Sequence, residues 1–340
     1  MPRPAPNLNI PPSSTTVSVR IIDTTTHISG IPLSEFVSPA ISGHTHLSIP
    51  AYSFLIEHPS SRSLLFDLGV RKDWENLAPR ITERIKNGGW KITVQKGVRE
   101  QLEEHEVSAA SIEAVIWSHW HWDHIGDPST FDKSTALVVG PGFKKSFTPG
   151  YPSDNSSPIL ESDYADRELR EIAFNSGLKI GRFEAFDYFG DGSFYLLNSP
   201  GHTIGHMCAL AKVKTNPNSY VFMGGDACHH GGEFRPSPYH PLPEFLTPAR
   251  MPSYGITCSA IARRDDGKQV AHDVDEAERT IEKVMEVDAS DEVLVVMAHD
   301  ETLKDVVSFF PRYANGFREN GWAEKGRWLF LRDFVGAVKD

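Results

Sequence analysis

The most constraining feature of the sequence is the segment Ser118–His124, in which four side chains able to bind a metal ion fall within six consecutive residues. The segment directly follows four apolar residues that are typical of a short buried strand. Side chains two positions apart lie on the same side of an extended chain, so His119 and His121 can hold one ion together. Asp123 and His124 follow where the chain must turn, and they can face a different point in space. The segment therefore predicts two adjacent metal positions.

Further candidate ligands follow apolar runs elsewhere in the chain. His202, Asp226 and His299 each come shortly after a predicted strand, and Asp67 ends the second strand of a predicted hairpin. Polar residues at the strand ends of a layered α/β fold converge on one edge, where such folds place their sites. Imidazole and carboxylate ligands without thiolates suit Zn²⁺, Mn²⁺ or Fe. We therefore expect distant parts of the chain to complete the metal site.

The local patterns predict a mixed α/β chain. The best helix is 273–288, with an apolar stripe on one face. We also predict helices at 72–87, 97–105 and 163–176, a hairpin over 52–67, a short helix at 301–309, a strand-like piece at 328–331, and mostly irregular structure over 24–50.

The domain organisation is predicted from length and local composition. Residues 1–16 are rich in Pro, Ser, Thr and Asn, and we interpret them as a disordered or loosely draped arm. Residues 17–340 are interpreted as a single domain, because large α/β layers often form one unit of this length.

Composition narrows the classes of partner. The formal net charge is −11 and no block of Lys and Arg stands out, which disfavours nucleic acid. No stretch approaches the roughly 18 apolar residues that a membrane helix needs, and the N-terminus has no apolar core of signal-peptide length. The three cysteines are an odd number without close spacing, so a disulfide framework is disfavoured. We therefore expect a cytoplasmic protein with no membrane partner.

The order and spacing of the candidate ligands resemble a known family. The motif from His119 to His124 is followed by His202 after 78 residues, Asp226 after a further 24 and His299 after a further 73. This pattern is similar to that of the metallo-β-lactamase superfamily, and most closely to its N-acyl homoserine lactonase-like branch. The resemblance covers about residues 17–300. It implies an α/β fold, the four-layer αβ/βα sandwich of that family.

The resemblance also implies how the ligands divide. One metal ion would take His119, His121 and His202, the other would take Asp123, His124 and His299, and Asp226 would bridge both. The implied cofactors are two divalent metal ions, Zn²⁺ in first place, with Mn²⁺ or Fe as alternatives. In the lactonase-like branch a tyrosine three residues after the bridging aspartate contacts the substrate carbonyl. The corresponding residue in this chain is His229, which is a departure from the family pattern.

We therefore expect a dinuclear metal-dependent hydrolase in which a metal-bound hydroxide attacks the carbonyl of a small lactone or ester. Asp123 can take the proton released on attack, and His229 or His230 can donate to the substrate carbonyl. The alternative for these two histidines is a solvated position in a glycine-rich loop. Two other activities stay open: hydrolysis of a thioester on an acyl or polyketide chain, and iron-dependent oxidoreduction on the same fold.

Several other residues allow two interpretations. Asp67 is either an ordinary acid at a strand end or the acceptor for the second N–H of a ligand histidine. Cys228 is either a metal ligand or a small buried thiol. Trp120 and Trp122 are expected to pack on opposite sides of the metal loop, and one of them can line an apolar substrate pocket. The proline-rich segment 231–256 suits either a pocket wall or a rigid surface loop.

Overall fold

The secondary structure consists of many short strands with helices between them. A computed structural model describes residues 2–39, 41–243, 260–261 and 270–337 of the protein. In chain order the strands are β1 (Ser18–Asp23), β2 (Thr26–Pro32), β3 (Val37–Ser38), β4 (His46–Ile49), β5 (Tyr52–Glu57), β6 (Ser63–Phe66), β7 (Lys91–Val94), β8 (Ile112–Ile116), β9 (Ala136–Val139), β10 (Leu169–Glu171), β11 (Lys179–Ile180), β12 (Phe183–Asp187), β13 (Phe194–Asn198), β14 (Met207–Thr215), β15 (Asn218–Met223), β16 (Ala260–Ile261) and β17 (Val293–Val296). The α-helices are α1 (Pro79–Gly88), α2 (Val98–Glu104), α3 (Trp122–Ile125), α4 (Phe143–Phe147), α5 (Val274–Asp288) and α6 (Trp322–Gly326).

Two six-stranded sheets form the centre of the fold. The first has the order β1-β5-β6-β8-β9-β10 and the second the order β11-β12-β13-β14-β15-β17. Strands β6, β8, β9 and β10 run parallel to one another, as do β15 and β17. A three-stranded sheet, β4-β2-β7, and the pair β16-β3 lie outside them. The parallel strands matter most for the site, because their carboxyl ends lie at the same edge of each sheet.

The apolar residues of the strands alternate between two faces and so build three layers of core. In β6, Leu64 and Phe66 belong to the core between the two sheets, while Leu65 belongs to a second core that also contains Ile81 and Ile85 of α1. A third core packs the outer face of the second sheet against α5. Helices therefore cover the outer face of each sheet, and the predicted four-layer αβ/βα sandwich is confirmed.

Helix α5 shows how local sequence signals act together with packing. Its N-cap is Asp273, whose side chain accepts a hydrogen bond from the backbone N–H of Glu276 at 3.0 Å. Such a cap contributes about 1 kcal/mol. Residues spaced three or four apart form its buried stripe, namely Val274, Ala277, Ile281 and Val284. The predicted helix over 273–288 is confirmed to within one residue.

Other local predictions are wrong in identifiable ways. Residues 163–176 form no α-helix; instead β10 pairs in parallel with β9, because a free sheet edge outweighs weak helix propensity. The apolar residues after Trp328 form a 3₁₀ helix, Leu329–Ala337, rather than a strand. The predicted helix at 72–87 begins only at Pro79, whose missing N–H suits the first turn. Residues 24–50 contain three strands rather than a mostly irregular loop.

The N-terminal arm is irregular but makes specific contacts. Within residues 2–16 the structure assigns no helix or strand, yet Leu8 is buried and its carbonyl accepts the N–H of Gly181 at 2.6 Å. The ammonium of Lys212 donates to the carbonyl of Ser13 at 2.6 Å. The arm is therefore draped over the second sheet rather than detached, while its boundary at residue 16 stays a prediction.

Two further predictions are only partly covered by the structure. The proline-rich segment 231–256 is described as far as residue 243, and the rest lies outside the described residues. Within the described part of the chain, no helix combines the length and the apolar character that crossing a bilayer requires.

Candidate metal centre

The predicted ligands meet at the strand ends between the two sheets. His119 and His121 follow β8, whose neighbours β6 and β9 run parallel to it, and Asp123 and His124 lie in the short helix α3. His202, Asp226 and His299 arrive from the loops after β13, β15 and β17. The seven side chains form two groups, each with its potential ligand atoms within 4.8 Å of one another: His119, His121, His202 and Asp226 in the first, and Asp123, His124 and His299 in the second.

Asp226 lies between these groups and turns one carboxylate oxygen to each. Its Oδ2 is 3.6 Å from Nε2 of His119 and 3.4 Å from Nε2 of His202. Its Oδ1 is 2.9 Å from Nε2 of His124 and 3.1 Å from Nε2 of His299. Each oxygen therefore faces a different set of imidazoles, which is the arrangement that a bridging carboxylate requires.

Hydrogen bonds on the outer side fix the orientation of the imidazole rings. His124 donates from Nδ1 to Oδ2 of Asp67 at 2.9 Å, and His299 donates from Nδ1 to the carbonyl of Pro50 at 2.7 Å. Each of these rings therefore presents an unprotonated Nε2 to the cluster in its neutral form. Asp67 thus accepts the second N–H of a predicted ligand histidine. This agrees with its interpretation as a hydrogen-bond acceptor rather than an ordinary acid at a strand end.

Asp67 also holds the start of the metal loop. Its Oδ1 accepts the backbone N–H of Ser118 at 2.6 Å, and its Oδ2 accepts the Ser118 hydroxyl at 2.7 Å. The same hydroxyl lies 2.9 Å from Nδ1 of His119. The backbone of Asp67 has a φ of +60°, in the left-handed region that Asp tolerates better than most residues. The carboxylate of Asp67, at the end of β6, therefore positions His124 directly and His119 through the Ser118 hydroxyl.

His206 is a buried residue of the site that the sequence analysis did not single out. Its Nδ1 donates to the carbonyl of Ser199 at 2.9 Å, and its Nε2 accepts the backbone N–H of Asp226 at 3.1 Å. A Cβ on Gly225 would lie 2.9 Å from the same Nε2, so this close approach requires glycine. His206 therefore positions Asp226 and is not itself in either group of potential ligands. A histidine at the start of an apolar strand was its only sequence signal.

Burial keeps one side of the cluster neutral. Burial lowers the pKa of His121 to about 3. It also lowers the pKa of His119 and of His202 well below the usual value, and the neighbouring imidazoles act in the same direction. Neutral imidazole is the form that binds a metal ion. These three rings are therefore in the form that a cation requires.

The other side of the cluster carries charge. Burial disfavours the ionised form of Asp226, but the imidazoles of His124 and His299 hold the pKa of its carboxyl well below the usual range. Burial likewise opposes protonation of His124, yet the carboxylates of Asp226 and Asp67 raise its pKa well above the usual value. Anionic charge thus accumulates around His124, and a divalent cation competes with its proton for the same Nε2.

The buried polar atoms of the cluster fit metal cations. Nε2 of His124 and Nε2 of His299 are 3.3 Å apart, and Nε2 of His202 is 3.0 Å from Nδ1 of His121. Nε2 of His119 and Oδ1 of Asp226 have no hydrogen-bond partner. Buried polar atoms without partners are costly, so lone pairs converging in this way call for cations between them. The set of nitrogen and oxygen donors fits divalent metal ions.

His229 and His230 differ sharply in what they face. The Nε2 of His229 is 3.3 Å from Oδ2 of Asp226, and its ring lies 4.4 Å from that of Phe36. His230 points elsewhere, with its Nε2 3.2 Å from a carboxylate oxygen of Asp333. Glu233 accepts the backbone N–H of both histidines and so fixes the loop. The two side chains are 9% and 5% exposed, so the interpretation as solvated loop residues is wrong.

A cleft with apolar walls leads to the cluster. Trp90 and Trp122 stack with their ring centroids 6.1 Å apart, and Trp120 packs against Phe147 at 5.0 Å. All three tryptophans border the cleft, together with Ile31, Phe36, Ile49, Ile81 and Arg84. Trp120 and Trp122 therefore pack against different partners, and both rather than one line this pocket.

A larger cavity lies away from the cluster. It has a volume of about 680 Å³ and is lined by residues within 68–73, 97–103 and 126–131. Its charged side chains are paired, as Arg71 is with Asp73 at 2.8 Å, and it contains neither group of potential metal ligands found among the described residues. Cavity size alone therefore does not locate the chemistry.

Cys228 is a core residue. This residue is buried and belongs to the core between the second sheet and α5. It is not in either ligand group of the described chain, which favours its interpretation as a small buried thiol. The ligand atoms that converge are accordingly nitrogen and oxygen.

Known proteins share this fold and sequence. A model of the metallo-beta-lactamase superfamily matches residues 49–214. The chain is 45% identical to gamma-lactamase FDB1 of Fusarium pseudograminearum, over 97% of this chain and 85% of that protein, and 45% identical to metallo-hydrolase mfmC of Annulohypoxylon moriforme, over 99% and 92%. The crystal structure of a quorum-quenching N-acyl homoserine lactone hydrolase superposes with a TM-score of 0.61 at 16% identity, over 89% of this chain and 100% of that one. The chain therefore belongs to the metallo-β-lactamase superfamily.

Proposed function

We propose that the protein is a dinuclear metal-dependent hydrolase that opens a lactone or cleaves an ester. The observation that carries this proposal is the carboxylate of Asp226, which turns one oxygen to His119 and His202 and the other to His124 and His299. A single carboxylate between two sets of imidazoles is suited to hold two ions side by side. The names of the relatives, a gamma-lactamase and a metallo-hydrolase, support hydrolysis.

The ligand sets follow the two groups of side chains. His119, His121 and His202 would hold one ion, Asp123, His124 and His299 would hold the other, and Asp226 would bridge them. Donors of this kind without a thiolate suit Zn²⁺ first, with Mn²⁺ and Fe as alternatives. When bound, two such ions polarise a carbonyl and lower the pKa of water to near 7.

The remaining steps depend on groups of the chain itself. Asp123 lies with its Oδ2 3.4 Å from Nε2 of His299, at the edge of the cleft, where it can accept the proton released on attack. His229 borders the same cleft, with its Nε2 3.3 Å from Oδ2 of Asp226, and an N–H at this atom can donate to the substrate carbonyl oxygen as negative charge develops there. The tryptophan walls exclude bulk water and so strengthen both interactions.

A lactam is a second candidate substrate. The observation that favours it is the 45% identity to a relative named gamma-lactamase, over nearly the whole chain. A lactam and a lactone present the same carbonyl geometry, and they differ in whether nitrogen or oxygen leaves. A nitrogen leaving group needs a proton, which Asp123 can return after accepting it.

Metal depletion and restoration test the proposal. Purified protein would be stripped with a chelator, reloaded with Zn²⁺, Mn²⁺ or Fe²⁺, and assayed on matched lactones, lactams, oxygen esters and thioesters. We expect two ions per chain, a lower melting temperature for the stripped protein, and turnover of a lactone or ester only after reloading. A thioester preference, or one iron per chain with oxygen uptake, would instead support one of the other two activities.

Replacing His229 tests its role in turnover. His229→Phe keeps the ring contact with Phe36 but removes the donor, so we expect kcat to fall about a hundredfold with the metal content unchanged. His229→Tyr restores an O–H donor and is expected to recover part of the activity. The control is His46→Phe, the same change at an exposed histidine of β4. Wild-type kcat in His229→Phe would contradict the role.

A further inference from the structure

Arg84 stands at the wall of the cleft and has no carboxylate partner among the residues that the structure describes. Arg84 lies on α1, and it borders the cleft together with Ile81, one turn earlier on the same helix face. Within the described part of the chain no ion pair involves Arg84. Other exposed arginines that form no ion pair with a described residue, such as Arg80, do not line this cleft. Among the described residues that line the cleft, Arg84 is the one Arg or Lys, in a chain of net charge −11.

Aromatic stacking holds this guanidinium in place. It lies 5.8 Å from the ring centroid of Trp90, within the range of a cation–π contact. Trp90 stacks in turn on Trp122 at 6.1 Å, with an angle of 18° between the ring planes. Trp122 lies between His121 and Asp123 in the chain. A continuous stack therefore connects the cation to the metal loop and orients it relative to the reacting groups.

The other charged groups of the cleft leave Arg84 free to select a ligand. Among the described residues, the other ionisable groups that line the cleft are Asp123, Asp226 and the histidines around them. Asp123 and Asp226 face these imidazoles at 2.9–3.6 Å, so they are already engaged. Arginine is moreover the residue best suited to bind a carboxylate through two parallel N–H donors.

We propose that Arg84 recognises an anionic substituent, a carboxylate in the first instance, on the substrate of this cleft. The substrate would have an apolar body lying between the tryptophans and an acidic group on the side away from the scissile carbonyl. This inference rests on the proposed hydrolytic function, and it names the chemical class of the substrate. Arg84 acts as a specificity residue, because it contacts the substrate without taking part in bond cleavage.

A matched pair of substrates tests the proposal. One aryl-substituted lactone carries a carboxylate and the other carries the neutral carboxamide at the same position. For Arg84→Gln we expect kcat/KM for the carboxylate to fall about tenfold, mainly through KM, while the carboxamide changes less than about twofold. Arg84→Glu should lower the value for the carboxylate further. The preference of the wild type should weaken as salt is added, since Arg84 is exposed.

The control variant is Lys86→Gln, which removes the same charge from an exposed position of the same helix that does not line the cleft. It should leave both substrates unchanged. Equal effects of Arg84→Gln on the carboxylate and the carboxamide, or no effect on either, would overturn the proposal.

A binding experiment separates failure of this inference from failure of the proposed function. The cyclic ether analogues of both compounds cannot be hydrolysed, and their binding can be followed by tryptophan fluorescence. Tighter binding of the carboxylate, lost in Arg84→Gln, would support the role of Arg84 even if no lactone were turned over. Equal binding of both analogues to the wild type would exclude that role even if the protein hydrolyses lactones.

Discussion

Asp226→Asn is expected to lower kcat/KM by about a thousandfold or more and to reduce the metal content of the purified protein. The carboxylate offers Oδ1 to His124 and His299, and Oδ2 to His119 and His202. An amide replaces one of these oxygens with an NH₂ group, which has no lone pair for a cation. In either orientation of the amide, one ligand set loses its bridging atom and both lose the negative charge.

The shape of the side chain is preserved, so this variant separates chemistry from folding. Asparagine has nearly the volume of aspartate, and the backbone N–H of residue 226 can still donate to His206. We therefore expect a folded protein by circular dichroism, with its melting temperature near that of the metal-stripped wild type. Asp166→Asn is the matched control, because it makes the same change at a side chain that is 80% exposed. Two bound ions and wild-type turnover in Asp226→Asn would refute the bridging role.

The positions of the predicted ligands could be read from the sequence because each follows a strand. Strand ends at one edge of a layered fold lie close together, whatever the length of chain between them. His119 and Asp226, 107 positions apart, meet in this way. The division into two ligand sets needed the family resemblance, since strand periodicity only groups His119 with His121. The structure adds the orientation of Asp226, which no periodicity predicts.

The walls of the cleft could not be predicted in the same way. Phe36 and Ile49 come from segments that looked irregular, and Arg84 and Trp90 lie on or after a helix with an ordinary amphipathic pattern. Their roles arise from contacts between elements distant in sequence, for which a single chain carries no local signal. His206 was missed for a similar reason, because its partners are a loop carbonyl and the backbone N–H of Asp226.

Asp67→Asn is expected to weaken metal binding about 10- to 100-fold, although residue 67 lies in neither ligand group. Oδ1 of Asp67 accepts the N–H of Ser118, while Oδ2 accepts the Ser118 hydroxyl and Nδ1–H of His124. All three partners act as donors. The amide of asparagine must turn its NH₂ group towards one side, so a donor faces a donor in either orientation. Where the NH₂ group faces His124, the ring can relieve the clash only by moving its proton to Nε2, the atom that would hold the metal ion. Where it faces the backbone N–H of Ser118, the start of the metal loop must shift.

The expected signature of Asp67→Asn is lost affinity with turnover that recovers when metal is in excess. Asparagine tolerates the φ of +60° at this position, so the backbone need not change. Asp67→Ala should in addition lower the melting temperature, because it leaves the buried donors of Ser118 and His124 without an acceptor. Competition with a chelator measures the affinity, and activity at saturating metal measures the recovery. A His124 ring held in the wrong tautomer cannot bind the ion as well as the native ring. Unchanged metal affinity in Asp67→Asn would therefore contradict this role and mean that the hydrogen bond to His124 only stabilises the fold.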